Sequence, residues 1–139
     1  MLIKLKIKNL AIIDHMEIDF SNSFNIITGE SGSGKTIIYK SISYLLGRRF
    51  NKQDIRKGHT TCSIEGVLLI NNKRHTIKRS FTKMSAKNSI DDKILKLSDY
   101  IEIIENSWES YGQHEQQLLM DVNNHIKYLD LFAKTEDMY

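Results

Sequence analysis

Phe24-Asn25-Ile26-Ile27-Thr28-Gly29-Glu30-Ser31-Gly32-Ser33-Gly34-Lys35-Thr36 sets a short apolar run directly before a turn rich in glycine and serine. Gly29, Glu30, Ser31, Gly32, Ser33, Gly34, Lys35 and Thr36 fit the pattern G-x-x-x-x-G-K-[ST] at every fixed position. Glycines let the backbone curl so that successive N–H groups point inward, toward phosphate oxygens. A helix that follows presents its free N–H groups and the positive end of its dipole to the same anion. Lys35 then supplies a point charge for the β- and γ-phosphates, and the Thr36 hydroxyl a ligand for Mg²⁺. The pattern also occurs by chance, so its context decides. Here Phe24 to Thr28 read as a short buried strand. From Lys35 onward Ile38, Ile42, Leu45 and Leu46 fall on one helical face. Gly47 stands where a helix ends on glycine.

Working outward, Ile3, Leu5 and Ile7 alternate with lysines, and Met16, Ile18 and Phe20 alternate with Glu17 and Asp19. Both predict half-exposed strands, close enough to pair antiparallel. Ser21 to Ser23 predict a turn. Thr61 to Ile70 and His75 to Phe81 predict a hairpin around Asn71-Asn72. Ser89 to Leu95 predict a third strand-like piece that contains a turn at Asp91-Asp92. The polar stretch Ser80 to Asn88 is expected to be coil. Ser98 is expected to cap a helix running to about Asn106. Trp108 to Tyr111 are expected as strand, and a last helix follows Asp121 or Asn123.

The chain has 139 residues, 40% hydrophobic and 27% charged, which fits one globular domain. No uninterrupted apolar run exceeds four residues, as in Val67 to Ile70, so no segment is predicted to cross a membrane. Cys62 is the single cysteine, which excludes an internal disulfide and fits a reducing, cytoplasmic setting. The net charge of +3 conceals an asymmetry. Residues 1–90 carry 16 Lys/Arg against 6 Asp/Glu, and residues 91–139 carry 4 against 11. A basic N-terminal portion suits an anionic ligand, nucleotide or DNA, although charge alone describes a solvated basic surface equally well.

A complete nucleotide hydrolase also needs an acidic residue after an apolar strand. Ile103-Ile104-Glu105 is interrupted by Glu102 and reads as an amphipathic helix; Val67 to Ile70 ends in Asn71. Asn72-Lys73-Arg74-His75 lacks the acid of a guanine-binding Asn-Lys-x-Asp, which disfavours a GTPase. His114-Glu115-Gln116-Gln117-Leu118 lacks the second histidine of a zinc-protease helix.

Leu10-Ala11-Ile12-Ile13-Asp14 through Phe20, followed by residues 25–36, resembles the N-terminus of the RecN family of DNA-repair ATPases, in the SMC-like branch of the ABC ATPases. Tyr111-Gly112-Gln113-His114-Glu115-Gln116-Gln117-Leu118-Leu119 is similar to that family's Gly-Gln-His-Glu segment, and Tyr128-Leu129-Asp130-Leu131-Phe132-Ala133 adds a third anchor. Asp54-Ile55-Arg56-Lys57-Gly58 and Lys78-Arg79-Ser80 sit in the family's order.

The resemblance implies an α/β P-loop fold, an ABC-type, SMC-like head with an antiparallel β portion, of which residues 1–139 form the N-terminal lobe. It implies a phosphate loop at 29–36 and a Q-loop region at 111–118. Gln113 would reach Mg²⁺ or the attacking water, giving Lys35 and Gln113 as catalytic residues and Thr36 and Gln113 as metal-contacting ones, with ATP and Mg²⁺ as cofactors. His114 is expected to be structural, and Trp108 and Tyr111 core. Arg56 either approaches phosphate or DNA or belongs to a solvated basic face. The family's signature loop, catalytic glutamate and switch histidine lie in a C-terminal lobe beyond a long coiled coil. Neither lobe nor coil is expected in this chain, which stops about where the coil would begin. The implied partners are that lobe, a second head facing the first across ATP, and DNA through the complete protein, with no membrane and a cytoplasmic, nucleoid-associated location. A small stand-alone phosphotransferase, a nucleotide or metabolite kinase, is the alternative, although its acidic base and basic lid are not evident. A degenerate nucleotide-binding module without turnover is the third reading.

Overall fold

In the computed structural model, residues 1–70 and 72–105 are described. Strands β1 (Leu2–Leu10) and β2 (Ile13–Asp19) come first, then helix α1 (Lys35–Leu45) and a single 3₁₀ turn at Lys52–Asp54. Strands β3 (Thr61–Ile70), β4 (Lys73–Thr82), β5 (Ala86–Ile90) and β6 (Lys93–Leu95) follow, and α2 (Leu97–Glu105) closes the set. The strands form one six-stranded sheet in the order β2-β1-β3-β4-β5-β6, with every neighbouring pair antiparallel.

Alternation places the faces. On β1, Leu5 and Ile7 are buried, while Lys4 and Lys6 lie opposite Asp19 and Glu17 across the β2 edge. Lys4 Nζ reaches Glu17 at 2.5 Å and Asp19 at 3.1 Å. These cross-strand pairs match charge to charge and leave a charged outer edge that discourages pairing with another chain. The expected phase slips at the start of β1. A register shift between Leu2 and Lys4 buries Leu2 and leaves Ile3 half-exposed. On β3 and β4, Cys62, Ile64 and Leu68 face the core beside Ile77, Arg79 and Phe81.

The same core face receives both helices. Helix α1 buries Ile38, Ser41, Tyr44 and Leu45, so its contact face is rotated from the expected one, and Ile42 and Leu46 are half-buried. Ser41 fits there because its hydroxyl donates to the Ile38 carbonyl at 2.6 Å. Helix α2 contributes Tyr100 and Ile104, which makes Ile103-Ile104-Glu105 helical, as the sequence indicates. Phe50 stacks on Phe81 with centroids 3.9 Å apart, and Tyr44 meets Phe50 edge-on at 4.8 Å. No helix among the described residues is long and apolar enough to cross a membrane.

Three expectations are corrected. Phe24 to Thr28 form no strand, and Phe24, Ile26 and Ile27 are 84%, 69% and 43% exposed. A buried strand needs hydrogen-bonding neighbours on both sides, and the antiparallel sheet offers this segment none. Ser80 to Asn88 are not coil: they complete the β4–β5 hairpin, whose turn is organised by Thr82. The Thr82 N–H donates to the Ser85 carbonyl at 2.8 Å, and its hydroxyl accepts from the Ser85 N–H at 2.9 Å. Ser98 lies inside α2, where its hydroxyl donates to Asp99 at 2.8 Å instead of capping the helix. The hairpin turns are placed as expected, with Asn72, Asp91 and Asp92 at φ of 61°, 47° and 65°. The expected strand at Trp108 to Tyr111, the Q-loop region and the last helix lie outside the described residues.

Gly47 ends α1 at φ 103°, and a Cβ there would stand 2.6 Å from Cγ1 of Ile101 in α2. Gly47→Ala therefore meets both backbone strain and overpacking, and a loss of roughly 2–4 kcal/mol is expected in urea denaturation. Two acidic groups set an acid limit. The contact of Asp91 with His75 at 2.7 Å, then the Thr76 N–H at 2.8 Å, hold the Asp91 carboxyl below its ordinary range. Lys4 does the same for Glu17. The unfolded chain binds these protons more readily, so the stability they contribute is present above about pH 4 and is lost as pH falls through the lowered values. Thermal melts should show a fall below about pH 4 that Asp91→Asn flattens.

Candidate functional site

The loop between residues 24 and 35 is built from both ends. At its entry Asn25 folds the turn: its side-chain amide donates to the Ser21 and Ser23 carbonyls at 3.1 and 3.0 Å, and its oxygen accepts from the Ser21 N–H at 2.9 Å. At its exit Gly34 sits at φ 99°, a left-handed conformation that glycine adopts without steric cost, and starts α1 with no side-chain cap. The Gly34 carbonyl accepts from the N–H groups of Ile37 and Ile38 at 2.9 and 3.1 Å. The first N–H groups of α1, at Lys35 and Thr36, have no partner among the described residues. This is the usual condition of a helix start, and here nothing among the described residues covers it.

Lys35 bends back across the loop. Its ammonium donates to the carbonyls of Gly29 and Glu30 and to the Ser33 hydroxyl at 3.3 Å. Ser33 N–H in turn donates to the Glu30 carbonyl at 3.2 Å. Thr36 is exposed on the first helical turn, which carries no acidic residue. One cation, a helix N-terminus and free backbone donors thus converge on one side of the loop, a donor set that suits a phosphate chain. The structure brings Gly29 through Thr36 together; Gln113 and His114 lie outside the described residues. Among the described residues no cluster of His, Cys, Asp or Glu could hold a metal by itself. A metal at this loop would rest on the Thr36 hydroxyl and on phosphate oxygens.

The aim of this loop depends on the other end of α1, which sequence reading missed. Arg79, 2% exposed, comes up from β4 beneath the last turn of the helix. Its guanidinium donates to the Tyr44 carbonyl, to the Arg48 carbonyl at 3.0 Å, and through Nε to Asn88 Oδ1 at 2.8 Å. The Tyr100 hydroxyl of α2 donates to the Leu45 carbonyl at 2.6 Å. A cation here meets the negative end of the helix dipole and satisfies carbonyls that water cannot reach. Burial lowers the Arg79 pKa, yet a guanidinium stays charged, and the Phe81 and Tyr100 rings lie 4.9 and 5.8 Å from it. The available signal was the alternation Ile77-x-Arg79-x-Phe81, which puts Arg79 on the core face of its strand.

A second lacing holds the flank of α1. Tyr44 donates its hydroxyl to Asp54 at 2.5 Å, and Lys40 reaches the same carboxylate at 3.4 Å. Burial, with Asp54 adding to it, pushes Tyr44 up to about 12, so the phenol stays a donor. The Asp54 carbonyl accepts from the Ala11 N–H at 2.7 Å. Arg56 donates to the Ile12 carbonyl, so its guanidinium is engaged with the β1–β2 turn.

A phosphate loop set between a strand-like run and a helix, beside an antiparallel sheet, defines the class by its fold: that of the N-terminal lobe of a P-loop, SMC-like head. The chain belongs to the AAA domain family, whose sequence profile matches residues 4–138. Within that class it is similar to an N-terminal part of the DNA repair protein RecN. The Bacillus subtilis (strain 168) RecN is 31% identical over 98% of this chain, which spans 27% of that protein's length. Two solved structures carry the fold. One, described for ATP-driven dimerization and DNA-stimulated activation of SMC ATPases, has a TM-score of 0.71 at 16% identity and covers 92% of this chain and 95% of its own. The SMC head domain from Thermotoga maritima has a TM-score of 0.63 at 22% identity, over 73% of this chain and 41% of its own.

The cap under α1 yields a direct test. Arg79→Met keeps the packing volume but removes the guanidinium's bonds to the Tyr44 and Arg48 carbonyls and to the Asn88 oxygen. It should lower stability in urea denaturation by roughly 2–4 kcal/mol. Lys78→Met, on the exposed face beside Glu65 at 3.3 Å, should cost less than about 1 kcal/mol.

Proposed function

We propose that this chain is the nucleotide-binding lobe of a DNA repair ATPase of the RecN kind. The observation that carries the reading is the loop at 29–36, where an unpartnered helix start and the Lys35 ammonium converge. ATP is the ligand. The N–H groups from Gly29 to Thr36 would hold its triphosphate, and Lys35 would give up the Gly29 and Glu30 carbonyls to meet β- and γ-phosphate oxygens. The Thr36 hydroxyl and Gln113 would hold Mg²⁺, which would neutralise phosphate charge. Gln113 also orients the attacking water. The names of relatives, DNA repair proteins, support the repair role; on the proposed reading that role lies in double-strand break repair and recombination. They also weigh against the small-kinase alternative.

Turnover on this reading needs a C-terminal lobe and a second head. The exposed Phe24, Ile26 and Ile27 support that view, because they are an apolar strand-like run that the described sheet does not cover. DNA is the partner of the complete protein, which works in the cytoplasm at the nucleoid.

Titration of the 139-residue chain with Mg-ATP by calorimetry, with phosphate release followed in the same samples, tests the reading. Binding without release is expected. Lys35→Ala should weaken it by roughly 1.5–3 kcal/mol, about ten- to a hundredfold. Release by this chain would move the kinase reading ahead, and absence of binding would leave a degenerate module.

A further inference from the structure

The face of the sheet turned away from both helices carries its polar side chains in transverse rows. Strand pairing sets His15, Lys8, Ser63, Ser80 and Lys87 side by side across β2, β1, β3, β4 and β5. Directly paired residues share a face, and their chain neighbours Ile7, Cys62, Phe81 and Asn88 turn into the core. The next row on the same face runs Glu17, Lys6, Glu65, Lys78 and alternates in sign. There Lys6 stands 3.8 Å from Glu17, and Lys78 3.3 Å from Glu65. The row after that holds Lys4 3.1 Å from Asp19 and continues in Val67 and Thr76. The row of Lys8 and Lys87 contains no carboxylate.

Its donors are also uncommitted. Lys8 and Lys87 are exposed and form no ion pair among the described residues. Ser63 and Ser80 are half-buried, and their hydroxyls have no hydrogen-bond partner among the described residues. The two serines lie directly opposite each other at the middle of the row. Paired strands are ~4.8 Å apart, so the three gaps between Lys8 and Lys87 span ~14 Å. A lysine stem reaches ~6 Å, which lets both ammonium groups close on an anion set above the two hydroxyls. Two ammoniums and two hydroxyls then surround one point, and the two positive charges balance one dianion. A phosphate monoester carries about two negative charges and three acceptor oxygens, whereas a carboxylate carries one charge and two oxygens. The donor set therefore suits phosphate. The serines stand on sheet backbone that is already ordered, so binding costs chiefly the freedom of the lysine side chains.

We propose that this row binds a phosphate dianion, free or as the monoester of a small molecule, on the face of the sheet opposite α1. The site is separate from the phosphate loop and does not rest on the nucleotide reading, because none of its residues belongs to positions 29–36.

The test is a titration of the 139-residue chain with inorganic phosphate at low salt, followed residue by residue through backbone amide NMR shifts. The amides of Lys8, Ser63, Ser80 and Lys87 should shift together and saturate with a Kd of about 1 mM, and sodium chloride at matched ionic strength should not reproduce the change. Ser63→Ala with Ser80→Ala keeps every charge and should weaken binding at least about fivefold. Ser63→Thr with Ser80→Thr, which restores the hydroxyls, should recover the affinity. Lys8→Gln with Lys87→Gln should weaken binding at least about tenfold, and Lys6→Gln with Lys78→Gln less than about twofold. Shifts that never saturate, or an alanine pair that binds like the unaltered chain, would overturn the proposal, since a merely positive surface has no use for the hydroxyls. So would equal effects of the two lysine pairs. In Lys35→Ala, shifts at residues 29–36 should disappear while those of the row persist; loss of both would show that the row only reports on the loop. A row that binds phosphate in a chain that never binds Mg-ATP supports the site and removes the nucleotide reading. Ribose 5-phosphate, titrated alongside, tells the sources apart: tighter binding than inorganic phosphate assigns the row to a phosphorylated small molecule, and weaker binding assigns it to the free anion.

Discussion

The buried guanidinium of Arg79 under the last turn of α1 is the constraint around which the rest is arranged. A helix laid across a sheet with its C-terminus inside the core leaves carbonyls that water cannot satisfy. Arg79 and Tyr100 answer for two of them, at Tyr44 and Leu45; Arg79 also reaches the Arg48 carbonyl just past the helix, and Asn88 takes the remaining arm of the guanidinium. Lysine could not do this, because a single ammonium has no fixed fork to reach two carbonyls and an amide oxygen at once. The cost of desolvating the charge is offset by those acceptors, by the helix dipole and by two aromatic faces. Because β4, β5 and α2 all contribute to this one cluster, fixing it fixes the direction of α1.

From that anchor, constraint decreases along the helix toward the phosphate loop. The C-terminal half of α1 is buried at Ser41, Tyr44 and Leu45, and Asp54 ties Tyr44 and Lys40 to the connection that follows. The N-terminal half exposes Thr36 and Tyr39, and its first N–H groups have no partner among the described residues. A ligand site built this way has a rigid support and an open face. Tight packing is spent where no chemistry takes place, and the donors that could meet a phosphate are left uncovered.

Much of the frame could be read from residue order. Alternation in β3 and β4, and in β1 beyond its register shift, short turns at Asn72 and at Asp91-Asp92, and Gly47 after α1 each report a local rule that the packed structure obeys. What could not be read depends on contacts distant in sequence. Nothing near Ser80 to Asn88 announces that Asn88 is needed beneath Arg79, so polarity there suggested coil. Nothing near Ser41 says that a small hydroxyl will face the sheet while Ile42 turns partly outward. The loop at 29–36 was legible because its function needs contiguous backbone. Its support was not, because Arg79 and Tyr100 lie 35 and 55 residues from the carbonyls they hold.

Phe24 to Thr28 show the same distinction from the other side. Their composition specifies burial, and the sheet in the described residues supplies no edge for them, since β2 presents a charged border and β6 is only three residues long. The phosphate loop is therefore held unequally. Its exit is fixed by a helix capped from within the core, whereas its entry is fixed, among the described residues, by the Asn25 turn. On the proposed reading, a second lobe that pairs with Phe24 to Thr28 would do for the entry what Arg79 does for the exit. It would also bring hydrolytic groups to the same side of the loop. The exposed run and the incomplete chemistry then have one cause: the surface that would cover the first carries the residues that would complete the second.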